Sequence, residues 1–325
     1  MNMATTLQDE MNRMALKTGG SENTKDGRMQ TYSLFVDWCI LENIQLKHIW
    51  HIKNRHVLKY VQFRLSLGIS PRTLKNEMSH LRSVTNRITL TNDQLGIPRG
   101  SRKGVRMPPS EDYIMECLQR LNRIEFQVAV LLQRLLGLRS KEVIMIGPAI
   151  KALLIELRKW YLVNITRGTK GGKSRNVDIH EYEAIRDLLL LAQELVNKNG
   201  GQLIPAKSLK AAQSKYLKAA ARAGLKHEHA PHSLRYSFAV HAIETYKDIG
   251  FDEDEALART ALSLGHGAGR TRFVKSVYAR HPVEPSVNGI TPMDLVACVM
   301  ESNSNWGSNT RHAPGYVQDT AQPQP

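Results

Sequence analysis

Four short clusters in this 325-residue chain carry side chains suited to one chemistry. They are Gly137-Leu138-Arg139-Ser140-Lys141-Glu142, Thr169-Lys170-Gly171-Gly172-Lys173, His232-Ser233-Leu234-Arg235, and Leu264-Gly265-His266 followed by Tyr278. Exchange at a phosphodiester without a metal needs the residue types they supply. Arg139 and Arg235 can each offer a planar fork of N–H donors to nonbridging oxygens, a geometry lysine cannot reproduce. His232 can position or deprotonate a hydroxyl near neutral pH. A lysine on a mobile turn, Lys170 or Lys173, can contact phosphate or protonate a leaving oxygen. Tyr278 can attack phosphorus and keep the bond energy in a covalent ester. His266 can bond the phosphate or buttress the site, and Glu142, one helical turn beyond Arg139, can orient its neighbours or form a surface pair with it.

Several elements must position these groups. His232 and Arg235, three apart at an expected helix start, share one face. Tyr161, Val163 and Ile165 alternate, as do Val177 and Ile179, so two strands should flank a turn at TRGTKGGKSR that carries Lys170 at its tip. Helices are expected at 181–197, 208–223, 232–247, 253–263 and about 270–280. The second region opens at Ser110, Glu111 and Asp112, a cap with an acidic first turn. Residues 27–95 keep a helical rhythm at Val57, Tyr60, Val61, Arg64 and Leu65 and again at Leu74, Met78 and Leu81, with Ser70 and Pro71 as cap and first helical residue.

Composition narrows the partner. Lys plus Arg outnumber Asp plus Glu by 45 to 30, a net charge of +15, which favours a polyanion. Basic excess lies in 27–95, in 111–290 and in the connection between them. Residues 96–110 carry Arg99, Arg102, Lys103 and Arg106 with no acid, and Gly and Pro break regular structure there, so this stretch reads as a basic, DNA-contacting linker. Residues 1–26 read as a tail, and 303–325 have the composition of a disordered tail. No apolar run approaches a membrane span, and the N-terminus lacks a secretory h-region, so no membrane partner and a cytoplasmic location are expected. Cys39, Cys117 and Cys298 are widely spaced and read as reduced packing residues. His227, His229 and His232 form HEHAPH without an accompanying cysteine or carboxylate set, so no metal site is expected. The first glycine of a nucleotide-binding GxxxxGK[ST] would fall at Arg167, which argues against nucleotide hydrolysis.

In order and spacing, the arginine box, hairpin lysine, HxxR, GH and tyrosine resemble the tyrosine recombinase (phage integrase) family, most closely integrases of bacterial mobile elements with a TKGG-type hairpin. The resemblance covers 110–285, and 27–95 looks like that family's core-binding domain. It implies a mainly α fold: a helical, SAM-like core-binding domain at 27–95 and an α-rich catalytic domain with a small β-sheet at 111–290, forming a C-shaped clamp on DNA. It prefers Lys170, ahead of the glycine pair, as general acid, leaving Lys173 as a phosphate contact. It places the nucleophile at Tyr278, in SVYARH, over the alternatives Tyr236 and Tyr246. The interval from His266 to Tyr278 is longer than is common in the family, and GAGRTRF holds the extra residues.

The implied activity is site-specific recombination of duplex DNA through a 3′-phosphotyrosyl intermediate, with no cofactor, metal or ATP, by a DNA-bound tetramer aided by accessory DNA-bending proteins. A catalytically silent architectural protein and a type IB topoisomerase-like relaxing enzyme are the alternatives. Residues 291–302 are expected to form a C-terminal helix capped at Thr291-Pro292, with Met293, Leu295, Val296 and Val299 on an apolar face that the resemblance would dock on a neighbouring protomer.

Overall fold

The computed structural model describes residues 3–99 and 106–303, and they fall into two compact units that divide at Arg102. The first unit holds α1 (Met3–Lys17), α2 (Glu22–Leu41), α3 (Asn54–Ser66) and α4 (Pro71–Val84). Its core gathers Tyr32, Phe35, Trp38, Tyr60, Val61, Leu74, Met78 and Leu81. Ser70 caps α4 by accepting from the Thr73 amide at 3.2 Å, with Pro71 at the first helical position. Glu77 of α4 is buried yet fully engaged, accepting from Arg64 at 2.6 and 3.2 Å and from the Tyr60 hydroxyl at 3.0 Å.

Residues 3–26 are not a tail. Leu7, Met11 and Ala15 follow one another by a helical turn and are buried in the core, and α2 begins at Glu22 under a Ser21 cap. Average charge and polarity obscured this narrow apolar stripe. The linker is also shorter than 96–110. Ile97 belongs to the first unit's core. On the other side, the Met107 amide donates to the Glu228 carbonyl at 3.3 Å and the Ser237 hydroxyl to the Pro109 carbonyl at 2.8 Å. Arg102 and Lys103 lie outside the described residues.

The second unit is built around α6 (Ile124–Leu136), whose residues from Glu125 onward are buried on every side, as a helix apolar all round requires. Packed on it are α5 (Glu111–Gln119), α7 (Ser140–Met145), α9 (Tyr182–Lys198), α10 (Leu209–Ala223) and α11 (Leu234–Asp248). The buried Gln133 amide donates to the Leu138 carbonyl at 3.0 Å, and the Tyr216 hydroxyl donates to its side-chain oxygen. Next to α8 (Ile150–Trp160) lies the only sheet among the described residues, an antiparallel pair of β1 (Leu162–Ile165) and β2 (Arg175–Asp178) in which Ile165 faces Arg175. Tyr161, expected in the first strand, instead ends α8 in a left-handed conformation with φ 53°.

After α12 (Glu253–Ser263), the helix expected at 270–280 appears as one α-turn, α13 (Thr271–Phe273), running into a π-turn at Val274–Tyr278 closed by the Ala279 amide on the Val274 carbonyl. α14 (Pro292–Glu301) buries Leu295, Val296 and Val299 on α5, α6 and α9 of its own chain, while Met293 is exposed. In this single chain that apolar face packs in cis. Asp112 supports the arrangement: its carboxylate accepts from the Val287 amide and from both the backbone and side-chain nitrogens of Asn288, pinning the connector ahead of α14 to α5. Among the described residues, no helix is long and apolar enough to cross a membrane.

Candidate active site

Gly137 ends α6 at φ 57°, a conformation that suits glycine, and a Cβ there would stand 2.5 Å from the Phe238 ring. The turn it permits places Arg139 just ahead of α7. Three residues on, Glu142 reaches back to it. The Arg139 amide donates to Glu142 Oε2 and Nη1 donates to Oε1, each at 2.7 Å. The Glu142 side chain has no exposed surface, so the pair is not a surface one, and Arg139 keeps 21% exposure.

Arg235, the second residue of α11, is completely buried. It donates to the carbonyls of Gly137 and Leu264 and leaves Nε buried without a partner. Burial lowers its pKa to about 10, so it is charged at neutral pH. The Leu264 carbonyl also accepts from Arg139 Nη2 at 3.2 Å. One backbone oxygen at the end of α12 therefore aligns both arginines of the separated boxes. It can do so because Gly265, at φ 70°, turns the chain beside them.

The sequence reading missed Arg175 of β2. This side chain, 5% exposed, forks onto Glu142 with Nη1–Oε1 at 2.6 Å and Nη2–Oε2 at 2.8 Å, and its Nε donates to the Ser263 carbonyl at 2.7 Å. A buried partner for Glu142 was implied only by the arginine's inward register, two residues before Val177 on the buried face of the strand. Burial pushes the Glu142 carboxyl up, and the hydrogen bonds and charge of Arg175 more than reverse this, holding it below the usual range. Three guanidinium groups against one carboxylate leave a net positive hub suited to an anion.

Tyr278 ends the π-turn at 4% exposure, with its hydroxyl 3.1 Å from His266 Nε2 and its ring 5.8 Å from the Arg235 guanidinium. π-turns recur at functional sites because they rotate one side chain out of helical register. The extra residues after His266 thus lead into a turn that faces Tyr278 inward. Tyr236 packs on the Tyr278 ring at 4.7 Å, and the Tyr246 hydroxyl donates to Asp178. The histidine touching the tyrosine hydroxyl is His266. His232, read from sequence as its base, has its ring centre 6.3 Å from the Tyr278 ring.

Lys170 and Lys173 are both exposed on the turn between the strands, where Gly171 and Gly172 adopt φ 69° and 72°. The charge of Lys170 is felt at His266. Arg106, expected in a free linker, presses on His232 with its charge. Arg99 belongs to the first unit, 90% exposed and 3.5 Å from Asp93. His229 packs on Tyr113, and no group of three or more His, Cys, Asp or Glu among the described residues is placed to hold a metal.

Burial first, then the charges of Arg235, Arg106, Arg139 and His266, pushes His232 down to about 3. Burial, then Arg235, Arg139, Lys170 and Arg175, takes His266 to about 4. Both rings are neutral near pH 7 and can accept a proton. Burial likewise takes His180 to about 4. Below the unfolded value of 6.5 the unfolded chain binds protons that the folded chain does not, so stability must fall as pH drops from 6.5 toward 4. The limiting slope is about 1.4 kcal/mol per pH unit for each histidine, reduced at the more open His266 by solvent screening. Denaturant titrations at pH 7, 6 and 5 should show this decline, and His180→Gln should make it shallower. A flat profile would contradict the neutral assignment.

Two family models match the chain: phage integrase N-terminal over residues 3–89 and integrase over residues 96–241. The second reaches from the arginine box through HxxR and stops before His266 and Tyr278. Among solved structures, the Tn1549 transposon integrase in complex with transposon right end DNA is 12% identical, with 94% of this chain and 100% of that chain covered and a TM-score of 0.51. The same integrase in complex with circular intermediate DNA is 12% identical, with coverages of 86% and 97% and a TM-score of 0.50. No curated protein sequence matches the chain.

Proposed function

Because the chain belongs to the tyrosine recombinase family of phage integrases, we propose that it cuts and rejoins duplex DNA at specific sites through a 3′-phosphotyrosyl bond. The observation that carries this reading is the Tyr278 hydroxyl on a neutral His266, beside two arginines aligned by one carbonyl. Arg139 and the unpartnered Nε of Arg235 receive the nonbridging oxygens of the scissile phosphate. Tyr278 Oη attacks phosphorus as its proton passes to His266, with His232 bonding the phosphate alongside. The P–O5′ bond breaks and Lys170 protonates the leaving oxygen. Religation to a new 5′ hydroxyl reverses these transfers and restores the tyrosine. Phosphodiester energy is conserved throughout, so the step needs no ATP, and in this reading the two arginines and Lys170 supply the charge and the proton that a metal would otherwise provide.

The similar integrase structures hold DNA. Arg99, Arg102, Lys103, Arg106 and Lys173 are assigned here to phosphate contacts on the duplex, and strand exchange to a tetramer joining two duplexes through a Holliday junction. Accessory DNA-bending proteins and a cytoplasmic, DNA-associated location belong to the same reading.

A nicked substrate made from DNA flanking the gene tests it. The expected product is a covalent protein–DNA adduct that forms in EDTA and maps to Tyr278, and paired sites should yield recombinants. No adduct on any flanking site, or a strict divalent requirement for cleavage, would overturn the reading. Relaxation of supercoils without joining of paired sites would redirect it to a relaxing enzyme. Lys170→Ala should slow cleavage by roughly 100- to 10,000-fold, the range of general acid catalysis. It should recover when sulfur replaces the 5′ bridging oxygen, a leaving group that needs no proton. Recovery in Lys173→Ala instead would move the acid to that residue.

A further inference from the structure

Arg175 is buried, charged and unused by the chemistry above, yet it sits where three functional segments meet. Its fork fills one side of the Glu142 carboxylate. The other acceptor positions of that carboxylate take the amide and Nη1 of Arg139, so all its acceptor sites are occupied. Its Nε holds the carbonyl of Ser263, directly ahead of Leu264, Gly265 and His266. Its backbone is five residues from Lys170 in the same hairpin. Two glycines make room for this junction. A Cβ on Gly265 would lie 2.9 Å from Arg175 Cδ, and a Cβ on Gly168 would lie 2.8 Å from the Lys141 carbonyl and 2.9 Å from Glu142 Cα. The hairpin therefore lies flush on the turn that carries Arg139.

We propose that Arg175 is a positioning residue for strand cleavage: it fixes Glu142, through Glu142 it aims the Arg139 guanidinium at the phosphate, and it ties the Lys170 hairpin to the His266 segment. This rests on the recombinase reading. Arg175 does not touch the substrate itself: its Nε and both terminal nitrogens are engaged, on Ser263, Glu142 and the Gly137 carbonyl, whereas Arg235 keeps its Nε unpartnered. Arg139 has the exposed edge. Without Arg175 the buried Glu142 would be left with one partner and would draw the Arg139 fork inward, away from an incoming anion. A lysine keeps the charge but cannot satisfy two carboxylate oxygens and a carbonyl from one planar group.

The test uses the full chain on the nicked substrate, with the unaltered protein as reference. Arg175→Lys should bind DNA within a few-fold of the reference and form adduct about 100-fold more slowly, the scale of a misplaced catalytic group. The diagnostic readout is phosphate charge. On a substrate whose scissile phosphate carries a methyl in place of one nonbridging oxygen, no anion awaits Arg139, and the deficit should shrink at least about tenfold, toward parity. Simple loss of structure would slow both substrates alike. Because Arg175→Met leaves a buried carboxylate short of a partner, it is paired with Glu142→Gln. If Arg175 acts through Glu142, the double variant cleaves no more slowly than Arg175→Met alone. Equal deficits on the two substrates, multiplying effects in the double variant, or a full-rate Arg175→Lys would overturn the proposal. Absence of adduct from the unaltered protein is a different failure, that of the recombinase reading.

Discussion

Tyr278→Phe should leave no covalent protein–DNA adduct while retaining DNA binding and the fold. The substitution removes one oxygen and nothing else. The ring keeps its packing against Tyr236, His232 and Phe273, and the lost hydrogen bond to His266 is worth about 1 kcal/mol of stability. Chemistry, by contrast, loses its nucleophile, and a neighbouring tyrosine cannot replace it. Tyr246 is engaged with Asp178, and Tyr236 meets Tyr278 through its ring. Denaturing gel electrophoresis after incubation with the nicked substrate reads the adduct directly. Tyr236→Phe and Tyr246→Phe should retain it. Adduct at the normal rate from Tyr278→Phe would move the nucleophile to another residue.

Arg235→Lys should damage both catalysis and stability, and the double effect follows from where the side chain lies. It is wholly enclosed and donates to two backbone carbonyls 127 residues apart in the chain, those of Gly137 and Leu264. An ammonium on a lysine stem cannot span both, so one of these hydrogen bonds is lost at about 0.5–1.5 kcal/mol, with Arg139 still serving Leu264 and Arg175 still serving Gly137. In the reaction, removal of a preorganised donor from the phosphate should slow single-turnover cleavage by about 100- to 1,000-fold. Arg139→Lys should lose a similar factor in rate with a smaller loss of stability, because Arg139 is partly exposed and Leu264 keeps Arg235 as a donor. Denaturation midpoints and cleavage rates for both variants separate the two roles. Near-normal cleavage by Arg235→Lys would assign that arginine to structure alone.

What could be read from the sequence was what neighbours within about four residues decide. Caps at Ser70, Ser110 and Thr291, the alternation of Val163, Ile165 and Val177, and the pairing of residue types within each box depend on local backbone geometry, so they were legible in linear order. The tertiary structure decided what depends on packing between distant segments. Leu7, Met11 and Ala15 already had helical spacing, but only a core able to receive that stripe made residues 3–26 part of a domain. Asp112 holds a connector 175 residues away, and with it the choice that α14 packs on its own chain. His266 rather than His232 meets the tyrosine hydroxyl because the end of α12 and the π-turn converge there. Arg175 looked like one more basic residue after a glycine turn. Its identity as the partner of Glu142 exists only once a strand lies against a helix start 33 residues earlier, and a buried charge can be tolerated only in a place where its complement is also buried.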